Sequence, residues 1–258
     1  MIDIFRALLK AESIKLRRSG TLIVPLAAPA LASLLQFLHL ADMIGDPHPK
    51  WTGPAVVWAD LVQHGWDVWL VLIVPMLIFF EAASLANLEH RGNQWKQLFT
   101  APVPRWAVYA TKILFCAVLV GGGFMLFALG FTADALIFSG FERLRLASAI
   151  PWLEILRITG KTFLASWLMI VIQSWLSARF AGFVAPIGIG FAAWIGGFIF
   201  LLGKRSLPLW YPWTTAIGAR PGGSPHNSTL IPILSGCASA VLLGVLVCRD
   251  LARRRDRA

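Results

Sequence analysis

Two carboxyl groups lie inside apolar runs of this 258-residue sequence and are the first candidates for chemistry. Glu81 and Asp134 lie near opposite faces of a membrane in the topology predicted below, so they cannot form a pair of catalytic acids. Because an ionisable group in hydrocarbon is costly, it usually serves a function. Glu81 either faces a water-filled interface between two copies of the chain or accepts structural hydrogen bonds. We treat Glu81, Gln36 and Gln173 as candidates for a translocation path, with a structural role as the alternative for each.

Motifs for catalysis are absent from the sequence. It contains no His-Glu-x-x-His zinc helix and no Gly-x-Ser-x-Gly nucleophile elbow. The segment Thr159 to Thr162 is similar to the end of a phosphate-binding loop, but the glycine that such a loop needs is replaced by Ile155. The cysteines, Cys116, Cys237 and Cys248, are not spaced for a metal site or a disulfide outside the membrane. We therefore expect neither an enzyme nor a metal site.

The composition places these side chains in a membrane. Hydrophobic residues make up 57% of the chain and charged residues 14%, with a mean hydropathy of +0.70. A soluble domain carries about a quarter charged residues, so a soluble enzyme is excluded. The sequence predicts one all-α, polytopic transmembrane domain over 1–258. Uncharged runs of about 20 residues predict six transmembrane helices, at about 21–41, 67–87, 112–134, 156–178, 181–202 and 229–248.

The distribution of Lys and Arg predicts the orientation. With six spans, 15 of the 23 cations lie on the side of the two termini and 8 on the other side. Cytoplasmic loops carry the excess of Lys and Arg, so both termini are predicted in the cytoplasm, and the chain in the inner (cytoplasmic) membrane. The net charge of +10 suits anionic lipid headgroups, and nucleic acid is not expected as a partner.

Two further segments follow from this topology. Residues 2–18 predict an amphipathic interfacial helix that carries Glu12, Lys15, Arg17 and Arg18. This helix either anchors the first span or grips a cytoplasmic partner.

Residues 42–66, 139–161 and 203–227 are predicted to lie outside the membrane, on the side opposite to the termini. Seven of the 12 tryptophans lie at the outer boundary and are interpreted mainly as an interfacial belt: Trp51, Trp58, Trp66, Trp69, Trp152, Trp210 and Trp213.

The cytoplasmic loop 88–106 combines charges with large apolar side chains. A short helix from Asn93 to Phe99 would be stopped by Pro102 and Pro104. This mixture suits docking into a groove on a partner protein, while a helix lying on lipid is the alternative. The candidate contact residues are Glu89, Arg91, Trp95, Lys96, Leu98, Phe99 and Arg105.

The same loop resembles the Glu-x-x-x-Gly-Thr-x-Lys-x-Leu…Pro-Val-x-Arg…Lys pattern of ABC-2-type exporter permeases. The resemblance is greatest to the permeases of lantibiotic immunity and bacitracin resistance. The matching residues are Glu89, Lys96, Leu98, Pro102, Val103, Arg105 and Lys112, whereas the glycine of the pattern is displaced to Gly92. The segment from Glu12 to Ser19 is similar to that subgroup's Glu-x-x-Lys-Leu-Arg-Arg-Ser entry to the first span.

The resemblance implies a transmembrane subunit of an ATP-driven exporter. Two permease chains, identical or homologous, would pair, and two copies of a separate ATP-binding subunit would dock from the cytoplasm and hold ATP and Mg. The N-terminal helix and the segment 89–99 would be the contact surfaces. The implied substrates are amphipathic antimicrobial peptides or lipophilic compounds. Two alternatives stay open: a non-transport ABC membrane partner for sensing or biogenesis, and a stand-alone polytopic enzyme or channel.

Overall fold

The computed structural model of the chain describes residues 2–17, 20–45, 54–91, 104–139, 150–180, 182–202, 211–220 and 230–254. Every regular element in these ranges is helical, which confirms the predicted all-α, polytopic class of fold. The helices are α1 Ile2–Arg17, α2 Ile23–Gly45, α3 Pro54–Val68, α4 Val74–Arg91, α5 Arg105–Phe138, α6 Trp152–Ala165, α7 Trp167–Arg179, α8 Val184–Leu202, α9 Pro212–Gly218 and α10 Leu230–Arg254.

Three of the described helical segments are long and apolar enough to cross a membrane: Gly20–Met43, Trp58–Leu88 and Trp106–Phe138. The pair α6 and α7 passes the same test together and counts as a fourth span if the bent pair is one crossing. Shorter apolar helices cover Val184–Ile199 and Gly236–Arg249. The described residues thus support three or four spans by length, and the count of six stays a prediction, as does the side on which the termini lie.

The second span begins earlier than the predicted residue 67, because α3 continues into α4 through a π-helical turn, Trp69–Ile73. Part of the predicted outside loop 42–66 is therefore helical. The polar residues that interrupt the apolar pattern here have partners within the bundle. The ring of His64 stacks on His39 at 3.7 Å, and Asp67 lies 2.5 Å from Arg220. These contacts shield the polar groups at the start of the span.

The π-helical turn has a partner on α8. The indole nitrogen of Trp194 donates a hydrogen bond of 2.7 Å to the carbonyl oxygen of Val71, within that turn. A π-helical turn replaces i→i−4 bonds by i→i−5 bonds, as from Val74 N–H to the Trp69 carbonyl oxygen, and this shift opens a carbonyl group to a side-chain donor. The Trp194 indole is such a donor, and it joins α8 to the middle of the second span.

The bend of 41° between α6 and α7 lies at Ser166. The hydroxyl groups of Thr159, Thr162 and Ser166 each donate to a backbone carbonyl four residues earlier, at 2.7 to 2.8 Å. Such back-bonding by Ser and Thr often bends a helix. The segment Thr159 to Thr162, which is similar to the end of a phosphate-binding loop, lies within α6.

Helices α2 and α5 run parallel and pack closely. Ser33 donates a hydrogen bond of 2.7 Å to Asp134, and the ring of Phe37 meets that of Phe138 at 4.9 Å. Gly130 allows this approach, since a Cβ atom there would lie 2.7 Å from the Ser33 hydroxyl oxygen. Small residues let transmembrane helices approach in this way.

The interpretation of the outer tryptophans as an interfacial belt is wrong for Trp58, Trp66 and Trp69. All three are buried in the core. Trp66 and Trp69 pack against Phe127, with ring centroids 5.2 and 4.5 Å apart. Because the helix begins before these residues, they lie inside the bundle, where large rings fill space between helices. Trp152 is 56% exposed and Trp213 is half-buried, while Trp51 and Trp210 lie outside the described residues.

Candidate functional site

A buried ion pair attaches α1 to α5. The Nζ atom of Lys112 donates to Oε1 of Glu12 at 3.1 Å, and Nζ of Lys15 lies 3.6 Å from the same oxygen. Glu12 is 6% exposed and Lys112 is 8% exposed. Two charges that are withdrawn from water in this way are tolerated because they pair. The ion pair therefore fixes the position of α1 against the first turns of α5.

Apolar contacts support the ion pair. Leu16 is buried, and Leu8 packs against a cluster that includes Val108, Tyr109 and Val247. One face of the predicted amphipathic helix thus lies against the bundle. Its last described residue is Arg17, and Arg18 lies outside the described residues.

A small cavity adjoins Lys112. It has a volume of about 20 Å³ and is lined by residues that include Lys112, Cys116 and Ser174. A site needs roughly 10–15 Å³ and polar partners to hold one water molecule, so this cavity is large enough for one. The cavity lies between α4, α5 and α7, and its lining is mostly apolar, with Lys112 and Ser174 among its polar residues.

Glu81 lies beyond this cavity and is fully buried. The Cys116 thiol is close enough to the Glu81 carboxyl to interact with it electrostatically, and it is also close to the Ser174 hydroxyl. Among the described residues, neither carboxyl oxygen of Glu81 has a hydrogen-bond donor. Cys116 follows Lys112 by four residues of α5, a rise of about 6 Å. Two buried ionisable groups, Lys112 in the cavity lining and Glu81 near Cys116, thus lie in this part of the bundle.

The three candidates for a translocation path do not form one cluster. Gln36 is buried next to Gly65 and Phe131, about 22 Å along α5 from Cys116 at ~1.5 Å per residue. Gln173 is buried as well, and its side chain donates a hydrogen bond of 2.8 Å to the carbonyl oxygen of Pro186. That bond joins α7 to α8 and accounts for Gln173 structurally. A role of these residues in translocation stays a prediction.

The predicted coupling loop lies mostly outside the described residues, including Trp95, Lys96, Leu98 and Phe99. Glu89 and Arg91 lie in the last turn of α4, and Arg105 begins α5. Both helix ends lie at the end of the bundle where α1 packs, because the cavity beside Lys112 is also lined by α4 residues such as Leu85 and Ala86. The described ends of the predicted coupling loop therefore lie at the same end of the bundle as α1.

The pairing of Glu12 with Lys112 was missed from the sequence. Both residues belong to the resembling patterns, yet they are 100 residues apart, and nothing local connects them. One signal was available: Glu12 is the single glutamate in a strongly basic amphipathic segment. Among the described residues no group of three or more His, Cys, Asp or Glu side chains is placed to hold a metal ion.

The sequence can be compared with known protein families. The model of a family described as "ABC-2 family transporter protein" matches residues 8–197, about three quarters of the chain. The chain belongs to the ABC-2 family of transporter proteins. The match extends from α1 into α8 and includes Glu12, Glu81 and Lys112. No curated protein matches the sequence.

Membership of the ABC-2 family indicates the general role of this permease. It is a multi-pass membrane component of an ABC transporter and is not itself catalytic. The family also implies association with an ABC ATP-binding subunit. The buried ion pair and the ends of the predicted coupling loop lie at one end of the bundle. They are the candidate features for contact with such a partner.

Proposed function

We propose that this ABC-2 permease is the transmembrane subunit of an ATP-driven exporter in the cytoplasmic membrane, of the lantibiotic-immunity and bacitracin-resistance subgroup. Its substrates are amphipathic antimicrobial peptides or lipophilic compounds. Two permease chains pair in the bilayer, and two ATP-binding subunits dock from the cytoplasm. The observation that carries this proposal is the buried contact of Glu12 with Lys112, which links a surface helix directly to the core of the bundle.

The ion pair supplies a route for coupling. A partner that moves α1 also moves the first turns of α5, because breaking the pair would leave a charge buried without its partner. Helix α5 contacts α2, α4, α7 and α10, so a shift of α5 affects most of the bundle. Rigid-body movement of this kind is a common means of switching between two states. ATP-driven closure of the partner subunits would thus rock the permeases between inward-open and outward-open states.

The surface of the described helices favours apolar substrates. Large apolar side chains are exposed along α5 and α10, including Val118, Leu129, Val241 and Leu246. In the interior, Ser33 bonds to Asp134 and Gln173 bonds to backbone, whereas the side chains of Gln36 and Glu81 have no hydrogen-bond partner among the described residues. The exposed apolar surface supports movement of a lipophilic compound along the protein.

The test concerns the loop 88–106, with Trp95→Ala and Glu89→Lys as variants. Truncating an anchor residue in an interface commonly costs about 2 kcal/mol, which corresponds to roughly 30-fold weaker binding. Both variants should insert normally but copurify less ATP-binding subunit from the membrane and lose substrate-stimulated ATPase activity in nanodiscs. Trp152→Ala is the matched control, because Trp152 is exposed at the other end of the bundle.

Unchanged copurification together with unchanged ATPase activity in both loop variants would contradict the docking assignment. Normal docking without stimulation by any amphipathic or lipophilic compound would contradict the exporter assignment and favour a sensing or biogenesis partner. The control variant should behave as the wild-type chain in both measurements.

A further inference from the structure

A groove runs along the outside of α5, at the end of the bundle where α1 packs. Its walls include Ile113 of α5, Val171 of α7 and Val245 of α10, and Gly244 of α10 also lines it. We call it the α5–α10 groove. Its volume of about 670 Å³ lies within the range of ~300–1,000 Å³ that is usual for ligand sites. Among the described residues that line it, Arg249 alone is charged. The lining therefore suits a hydrocarbon chain that carries one anionic group.

The groove is as long as one leaflet of a bilayer. On α5 its lining extends from Trp106 to Leu114, and on α10 from Ala240 to Arg249. These segments span about 12 and 14 Å at ~1.5 Å per residue, and half of a hydrocarbon core of ~30 Å is about 15 Å. Leu114 and Trp167 also line a second groove of about 420 Å³ farther along α5, so they mark the mid-bilayer end of the first.

Positive charge and an aromatic ring lie together at the open end of the α5–α10 groove. Arg249 is exposed there. Trp106 is 44% exposed and lies in the first turn of α5, next to Arg105. Tryptophan rings are enriched at the level of lipid headgroups, and basic residues between transmembrane helices attract anionic headgroups. The open end is thus complementary to a phosphate group at the membrane surface.

A helix of a second copy fits the groove less well than a lipid does. A helix about 10 Å in diameter occupies roughly 900 Å³ over a length of ~12 Å, so only part of it can enter a groove of about 670 Å³. An acyl chain is narrower than a helix, and it can lie along the leaflet-long wall with its headgroup at the surface. Arg249, exposed at the open end, favours an occupant that carries an anionic group, such as the phosphate of a lipid headgroup.

We propose that the α5–α10 groove binds an anionic phospholipid from the leaflet at the α1 end of the protein. Its headgroup phosphate contacts Arg249 and Trp106, and one acyl chain lies along Ile113, Val171 and Val245. The site belongs to the permease itself and does not depend on the transport function.

Two variants and two matched controls test the site. A Cβ atom at Gly244 would meet no atom within 4 Å. Because Gly244 lines the groove, Gly244→Leu should place its side chain in the groove. Arg249→Glu reverses the charge at the open end. Gly188→Leu is the first control, since a Cβ atom there also meets nothing within 4 Å and α8 does not line the groove. Arg254→Glu is the second, because position 254 is about 140° around α10 from Arg249.

Each full-length protein is reconstituted in nanodiscs with equal amounts of phosphatidylglycerol and phosphatidylcholine, released in mild detergent, and examined by native mass spectrometry. The wild type and both controls should retain phosphatidylglycerol in preference to phosphatidylcholine. Arg249→Glu should retain it about 30-fold more weakly, since one attraction is replaced by one repulsion. Gly244→Leu should lose both lipids.

Equal retention of the two lipids by the wild type, or retention by Arg249→Glu like that of Arg254→Glu, would overturn the proposal. Undiminished phosphatidylglycerol in Gly244→Leu would do so as well, and if this variant does not fold, Arg249→Glu decides. A disulfide between two chains carrying Val241→Cys, formed in the same nanodiscs, would show that a second copy occupies the groove instead.

Discussion

The carboxylate of Glu12 and the ammonium group of Lys112 are both withdrawn from water, and each offsets the burial cost of the other. Glu12→Gln should therefore lower the stability of the permease by about 3 kcal/mol, because it leaves a buried ammonium group without its carboxylate partner. Thermal unfolding in detergent measures the change. The double variant Glu12→Gln/Lys112→Met should recover most of the loss, because no buried charge of the pair remains.

The exposed pair of Glu154 with Arg157 is the matched control for this prediction. Its charged atoms are 3.5 Å apart, but both side chains are more than half exposed. Exposed pairs contribute less than about 1 kcal/mol, so Glu154→Gln should change the unfolding temperature little. If Glu12→Gln is as mild as Glu154→Gln, the ion pair does not hold α1 on the bundle, and the proposed route of coupling loses its basis.

Glu81 differs from Gln173 in its bonding, and this difference predicts different outcomes. No donor among the described residues bonds to the Glu81 carboxyl, so Glu81→Gln should leave yield and thermal stability unchanged or improved. A loss of transport in that variant would then report a function. Gln173→Leu removes the bond to Pro186 and should cost about 1 kcal/mol. A reduced yield of folded Glu81→Gln protein would instead indicate a structural role for the carboxyl group.

At the scale of elements, glycines decide how closely α2 and α5 approach. Gly130→Ala would place a Cβ atom 2.7 Å from the Ser33 hydroxyl oxygen, so it should destabilise the permease by about 1–3 kcal/mol. At Gly122, on the same helix, a Cβ atom meets nothing within 4 Å. Gly122→Ala should thus be neutral or stabilising by up to about 1 kcal/mol, through helix propensity. Thermal unfolding of both variants compares them, and equal behaviour would show that α2 and α5 do not approach closely at Ser33.

At the scale of the whole molecule, the division of 15 against 8 cations predicts the orientation in the membrane. Cysteines placed at Gly53 and Gly222 should react with an impermeant thiol reagent in intact cells, whereas one placed at Asn93 should not. The wild-type chain, whose three cysteines lie in or at the end of apolar segments, gives the background. Labelling at Asn93 in sealed cells would contradict the predicted orientation, because it would show that the predicted coupling loop lies outside.

The sequence alone determined that this is an all-α, polytopic membrane protein and pointed to the ABC-2 family. Both conclusions depend on local patterns. Hydrocarbon requires long uncharged helical runs, such as the segment around Val118, because an unpaired backbone or a charge is costly there. The short motifs near Glu12 and Lys112 are also contiguous in the sequence. Local patterns were less reliable at span ends, where Asp60, His64 and Asp67 made the start of a helix resemble a loop.

Only the tertiary structure decided which residues meet. It paired Glu12 with Lys112 across 100 positions, placed Trp66 and Trp69 in the core instead of at the membrane surface, and separated Gln36 from Glu81. It also formed a groove from α5, α7 and α10. The physical reason is that burial and pairing depend on which helix faces pack together, and this is a property of the whole bundle. The hydrophobic pattern of one span predicts that the span lies in the membrane. It does not predict which neighbouring helix its polar residues face.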